Sequence, residues 1–154
     1  MSVRIDQVTA GIVDAGVSIG GWVRHPLSLS AGALDARDDA RTTGFMVVCT
    51  FDGAHGGERA MRGVALCTLI QEAEPAFEQR TDFKRVTIVA ESLDGYRALF
   101  SWNELFNTVV GEGVLVAWPE GGREGPLALL SLHDRATGPR FVQGLKAITL
   151  HKAW

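Results

Sequence analysis

Phe45-Met-Val-Val-Cys-Thr-Phe51 is an apolar run with β-branched members, closed by Asp52-Gly53. Ten residues after Gly53 comes Gly63-Val-Ala-Leu-Cys-Thr-Leu-Ile-Gln-Glu-Ala73, in which Leu66, Leu69, Ile70 and Ala73 recur at helical spacing. A short apolar run without alternation predicts a central strand buried on both faces. The second stretch predicts a helix over 63–73 with one apolar stripe, stopped by Pro75. Between the two, Gly53, Gly56 and Gly57 mark a loop.

Upstream, residues 5–23 read as two short strands parted by Asp14-Ala-Gly16, with Val17, Ile19, Gly21 and Val23 on one face of the second. Pro26 ends that strand, and Ser30 is placed to cap a short helix over 31–37. Downstream, residues 85–91 are β-branched, and Asp94-Gly95 predicts a turn into a partner strand over 96–100. Ser101-Trp-Asn-Glu104 has the form of a capping box, so a helix starts there. Strands over 114–118 and 127–132 are joined by Pro119-Glu-Gly-Gly122. A helical turn near 140–144 and a last strand over 147–151 complete the chain. About eight strands stand against three or four short helices, and the strands cluster rather than alternate with helices. The expected class is α+β (mixed α/β), mostly sheet, not a doubly wound nucleotide-binding fold.

The 154 residues predict one domain, 1–154, able to bury a core. A net charge of -3 leaves no basic footprint for nucleic acid. The densest charged stretch, Asp35-Ala-Arg-Asp-Asp-Ala-Arg41, mixes both signs and reads as a solvated surface. No apolar run has the roughly 18 residues a membrane span needs. The first residues carry no hydrophobic signal core, so the chain reads as cytoplasmic as written, or periplasmic if an export signal has been removed. Two cysteines are too few for a disulfide framework, and their spacing fits no zinc motif. Trp102 and Trp118 are expected in the core.

Phosphate-loop, nucleophile-elbow and zinc-protease motifs are absent. One constellation carries chemistry. Cys49 ends the apolar run, and the glycine loop after it bears His55, Arg59 and Arg62. A thiolate is a soft metal ligand, and neighbouring guanidinium groups favour it and attract an anionic cofactor or substrate. Free cysteines are also common as small buried hydrophobes, and the residues alone favour that reading. Cys67, one step off the helical stripe, reads as structural.

In their order, these features resemble the oxidoreductase molybdopterin-binding domain of the sulfite oxidase group, over about residues 20–151. Gly21-Trp-Val-Arg-His-Pro-Leu-Ser-Leu-Ser30 is similar to the family's opening, and Val47-Val-Cys49 with Arg62-Gly-Val-Ala-Leu66 to its cysteine strand and following helix. Asp94-Gly-Tyr96 and Gly138-Pro-Arg-Phe-Val-Gln-Gly-Leu-Lys-Ala-Ile148 are similar to its hairpin and closing segment. The resemblance implies a molybdenum–molybdopterin cofactor, with Cys49 as metal ligand and Arg140 near the cofactor's anionic end. It also implies an oxidoreductase with a redox partner protein.

Two departures keep another reading open. Cys49 is followed by Thr-Phe-Asp-Gly where sulfite oxidases have Gly-Asn, and Gln143-Gly144 stands where they close with Lys-Trp. The alternative is a module that keeps the fold without the cofactor and binds a small anionic ligand or a partner protein, since a fold does not carry its function with it.

Overall fold

The structure is a computed structural model that describes residues 16–122 and 126–154. Two five-stranded sheets form a mixed α+β architecture, mostly strand with a few short helices. The first of the two strands expected over 5–23 lies outside the described residues.

The first sheet has the order β2-β1-β10-β5-β6. Its strands are β1 (Gly16–Gly21), β2 (Leu27–Ser30), β5 (Val86–Ser92), β6 (Arg97–Ser101) and β10 (Leu145–Lys152). Period-two burial shows why these segments are strands: Val86, Ile88 and Ala90 point inward on β5, Ala98 and Phe100 on β6, Val17 and Ile19 on β1. β1 and β10 pair in parallel, with Ile19 opposite Ile148, and the other pairs are antiparallel.

The second sheet has the order β3-β4-β7-β8-β9. It comprises β3 (Arg41–Cys49), β4 (Gly53–Ala65), β7 (Val114–Pro119), β8 (Ala128–Ser131) and β9 (Val142–Gln143). Its inner face gives Val64, Val116, Trp118 and Leu129 to the main core. Its other face carries a smaller cluster of Phe45, Met61, Leu115, Ala117, Leu130 and Phe141. β7, in the middle, is therefore buried on both faces from Val114 to Trp118.

That role was expected of residues 45–51, and the structure corrects it. β3 is an edge strand on which only Phe45 is buried, while Phe51 at the tip is 96% exposed. Both runs are continuously apolar, and periodicity cannot say which one acquires neighbours on both sides. The expected glycine loop is also absent. Residues 53–65 form one long strand hairpinned to β3, with Cys49 opposite Gly53 and Thr42 opposite Arg62. Gly56, at φ 69°, and Gly57 lie in an irregularity of this ladder, between the Phe45–Arg59 and Val47–His55 pairs.

Helices α1 (Ala31–Asp35), α2 (Leu66–Ala73), α3 (Trp102–Asn107) and α4 (Val109–Glu112) complete the fold, with a 3-10 turn at Asp82–Arg85. α1 starts under Ser30, whose hydroxyl accepts the Ala33 amide at 3.1 Å, and it ends two residues short of the expected 37. On α2, Leu66, Leu69, Ile70 and Ala73 are all fully buried; each Leu or Ile so placed stabilises the fold by about 2 kcal/mol. Residues 63–65, expected on that helix, finish β4 instead. Glu74, at φ 59°, and then Pro75 terminate α2. The α3 capping box is complete: Ser101 Oγ accepts the Glu104 amide and Glu104 Oε1 accepts the Ser101 amide, both at 3.0 Å. Residues 140–144 contain no helical turn; their backbone is drawn into β9, beside β8.

Candidate functional site

Cys49 is the last residue of β3 and half-buried. An edge strand leaves one row of amides and carbonyls unpaired, and here the chain folds back to cover them. Thr137 Oγ1 accepts the Val48 amide at 2.9 Å and donates to the Met46 carbonyl at 2.6 Å. The Gly138 amide donates to the Val48 carbonyl at 2.8 Å. This stand-in for a strand brings the 137–143 segment against the sulfur.

The second wall comes from the β5–β6 turn. Gly95, at φ 92°, allows the turn, and Ser92 Oγ bonds the Asp94 carboxylate and accepts the Tyr96 amide. Hydrogen bonds to the carboxylate, from the Ser92 hydroxyl first and then from the Tyr96 amide at 3.3 Å, hold the Asp94 carboxyl below the usual carboxylate range. Tyr96 donates its hydroxyl to the Pro139 carbonyl at 2.5 Å, tying the two walls together. The result is an open cleft of about 340 Å³ lined by Val47, Cys49, Asp94, Tyr96, Gly138, Phe141 and Gln143. That volume lies within the range of small-molecule sites. It holds a soft nucleophile or ligand, an ionised carboxylate and an aromatic wall.

The positive neighbourhood expected around Cys49 does not assemble. Because residues 53–65 are a strand, Arg59 lies opposite Phe45, about 13 Å along the ladder from Cys49. Arg62 lies farther along and pairs with Asp35 at 2.9 Å. His55, across from Val47, is exposed, with Nε2 3.8 Å from Asp52, and does not line the cleft. Arg59 instead sits 5.6 Å from the Phe141 ring centroid and lines an adjoining cavity.

Arg140 is brought near in sequence but turned away. Its Nε and Nη2 donate to the two Asp134 oxygens at 2.8 Å each, and Nη1 donates to the Leu99 carbonyl and Glu104 at 3.0 and 3.1 Å. The guanidinium lies 4.3 Å from the centroid of the Phe100 ring. Asp134 above all holds its pKa above the ordinary arginine value. Four of the five guanidinium N–H donors are used within the protein, so Arg140 acts as a structural bracket between β6, α3 and the 132–141 segment.

Cys67 is structural as expected. Its Sγ donates to the Leu105 carbonyl at 3.0 Å, and burial pushes the thiol up to about 11. Trp118 is buried in the core and Trp102 packs at its edge. Sequence reasoning did not single out Asp94, Tyr96, Gly138, Phe141 or Gln143 as site residues. The available signal was that all five lie in the two segments that carry the later family-like motifs.

No family model matches the sequence, and no curated protein does. Among solved structures, the chain is similar to the crystal structure of the sulfane dehydrogenase SoxCD from Paracoccus pantotrophus. The match covers 91% of this chain at a TM-score of 0.66 and 17% identity. The likeness is one of fold. The chain spans 39% of the length of that protein's chain. Among the described residues, no helix is long and apolar enough to cross a membrane.

Proposed function

We propose that this chain is a molybdopterin-binding, oxidoreductase-type domain of the sulfite oxidase group, with Cys49 as the protein's ligand to molybdenum. The observation that carries the reading is the position of Cys49, its sulfur at the wall of a small-molecule-sized cleft instead of in the core. The fold likeness to a sulfane dehydrogenase supports it from outside the sequence.

One thiolate is a suitable soft donor. Cys49 is the one side chain offered here, and a metal bound to it would need its other ligands from the cofactor that carries it. When bound, such a cofactor supplies the electron-transfer chemistry, and the protein supplies position and surroundings. Cys49 would bind the metal, Val47 and Phe141 would exclude water from one wall, and the tied Tyr96–Pro139 pair would hold the opening at fixed width. The thiol end fits the group. The anionic end does not fit as the resemblance implied, because Arg140 is bonded to Asp134 and Glu104 and does not line the cleft, and the described charge that does is the Asp94 carboxylate.

That mismatch favours a second reading, in which the fold is kept and the cleft binds a small ligand without the cofactor. Expression in a host competent for cofactor synthesis, followed by elemental analysis, separates the two. The first reading expects molybdenum near one atom per chain, lost in Cys49→Ser. Metal-free wild-type protein from such a host overturns it and leaves the second.

A further inference from the structure

Beyond Phe141 and Gln143, which it shares with the Cys49 cleft, lies a second cavity of about 230 Å³. Its walls are apolar: Met61 on β4, Pro119 at the end of β7, then Pro126, Leu127 and Ala128 leading into β8. The frame is well anchored, since Leu127 is fully buried and its carbonyl accepts the Leu145 amide at 2.8 Å. Among the described residues, Arg59 is the one charged side chain lining it.

Three described arginines, Arg59, Arg80 and Arg135, have no hydrogen bond or ion pair, and of these Arg59 is the one that lines this cavity. Arg24, Arg37, Arg62, Arg85, Arg97 and Arg140 each have a carboxylate partner, and Arg41 donates to the Glu112 carbonyl. Among the described residues, Arg59 has no hydrogen bond or ion pair. Its guanidinium carbon lies 5.6 Å from the Phe141 ring centroid, a cation–π contact that leaves its N–H donors unused. An unpaired guanidinium beside an apolar cavity is complementary to a ligand with an apolar body and one planar anionic group.

We propose that this cavity binds a small organic monoanion, an aryl or short alkyl carboxylate, with its apolar body among Met61, Leu127 and Phe141 and its carboxylate on Arg59. Gln143, on the wall shared with the Cys49 cleft, offers an amide to the same carboxylate. The inference is independent of any metal at Cys49.

The test is isothermal titration of the purified chain with benzoate, benzamide and inorganic phosphate, on wild type, Arg59→Met, Ala60→Trp and Cys49→Ala. Benzoate is expected to bind with a Kd of about 1 mM or tighter, as its few heavy atoms allow. Benzamide, which lacks the charge, and phosphate, which lacks the apolar body, should bind at least about tenfold more weakly. Arg59→Met keeps the stem over Phe141 and should lose a similar factor; Ala60→Trp should fill the cavity and abolish binding. Both positions are exposed, and circular dichroism checks that the variants fold. Cys49→Ala should bind as wild type. Benzamide or phosphate binding as well as benzoate overturns the proposal. So does undiminished binding by Arg59→Met, or no saturable heat with benzoate to about 20 mM.

Discussion

A β-carbon built on Gly138 would lie 3.2 Å from the sulfur of Cys49 and 3.1 Å from the carbonyl oxygen of Val48. The glycine is needed for this close approach, since its φ is not in the left-handed region. Its amide must reach the β3 edge, and a side chain would stand between them. Gly138→Ala should therefore shift the 137–143 segment and the Cys49 sulfur apart by a few tenths of an ångström, costing about 1 kcal/mol as mild overpacking does. Urea unfolding measures the loss, and the alkylation rate of Cys49 should change with it. A variant as stable as wild type, with an unchanged rate, would show that the contact is slack.

The two thiols should separate cleanly by reactivity. Cys49 lies half-exposed at a cleft, whereas Cys67 is bonded to the Leu105 carbonyl and its thiol is pushed up to about 11. At pH 7 the Cys67 thiolate fraction is then about one in ten thousand, and the thiolate is the reacting species. Maleimide labelling read by peptide mass spectrometry should modify Cys49 first by a wide margin. Equal labelling of both in folded protein contradicts this placement.

Arg140 should matter for stability and little for anion binding. Arg140→Met removes the partner of a mostly buried Asp134 and breaks the link to Glu104 and the β6 edge, a loss of about 2 kcal/mol. Denaturant melts test this directly. The titration described for benzoate should be unaffected in protein that remains folded. Unchanged stability together with lost anion binding would restore Arg140 as a ligand anchor.

Asp82 sets a pH dependence with a definite sign. It accepts the Gln79 and Glu78 amides at 2.9 and 2.8 Å and the Arg85 guanidinium at 2.7 Å, and these bonds, amides first, bring its carboxyl down to about 2. The folded pKa is below the unfolded one, so the stabilisation is complete above about pH 4 and is lost as pH falls toward 2. Urea midpoints should fall more steeply through that window for wild type than for Asp82→Asn. Parallel curves would remove Asp82 from the account of acid lability.

Much of the local structure was legible because local chemistry decides it. Ser101 and Glu104 close a box within one turn, and Leu66, Leu69, Ile70 and Ala73 share a face at any position in a fold. The hairpin at Asp94-Gly95 needed only a turn and two alternating strands. Helix 140–144 failed because Val142 and Gln143 found a strand edge at β8, a partner more than ten residues away. The site was half legible. Cys49 does line a cleft, but Asp94, Tyr96 and Phe141 reach it from segments distant in the chain.

By itself the sequence determined an α+β protein of many short strands, the helix caps, and a cysteine at a strand end. Tertiary structure alone decided that β3 is an edge and β7 the centre, since two apolar runs are indistinguishable until sheet neighbours are assigned. It also decided the arginines. A guanidinium's role depends on which carboxylates the fold brings within 3 Å, and that enclosed Arg140, paired Arg62 with Asp35, and left Arg59 facing a cavity.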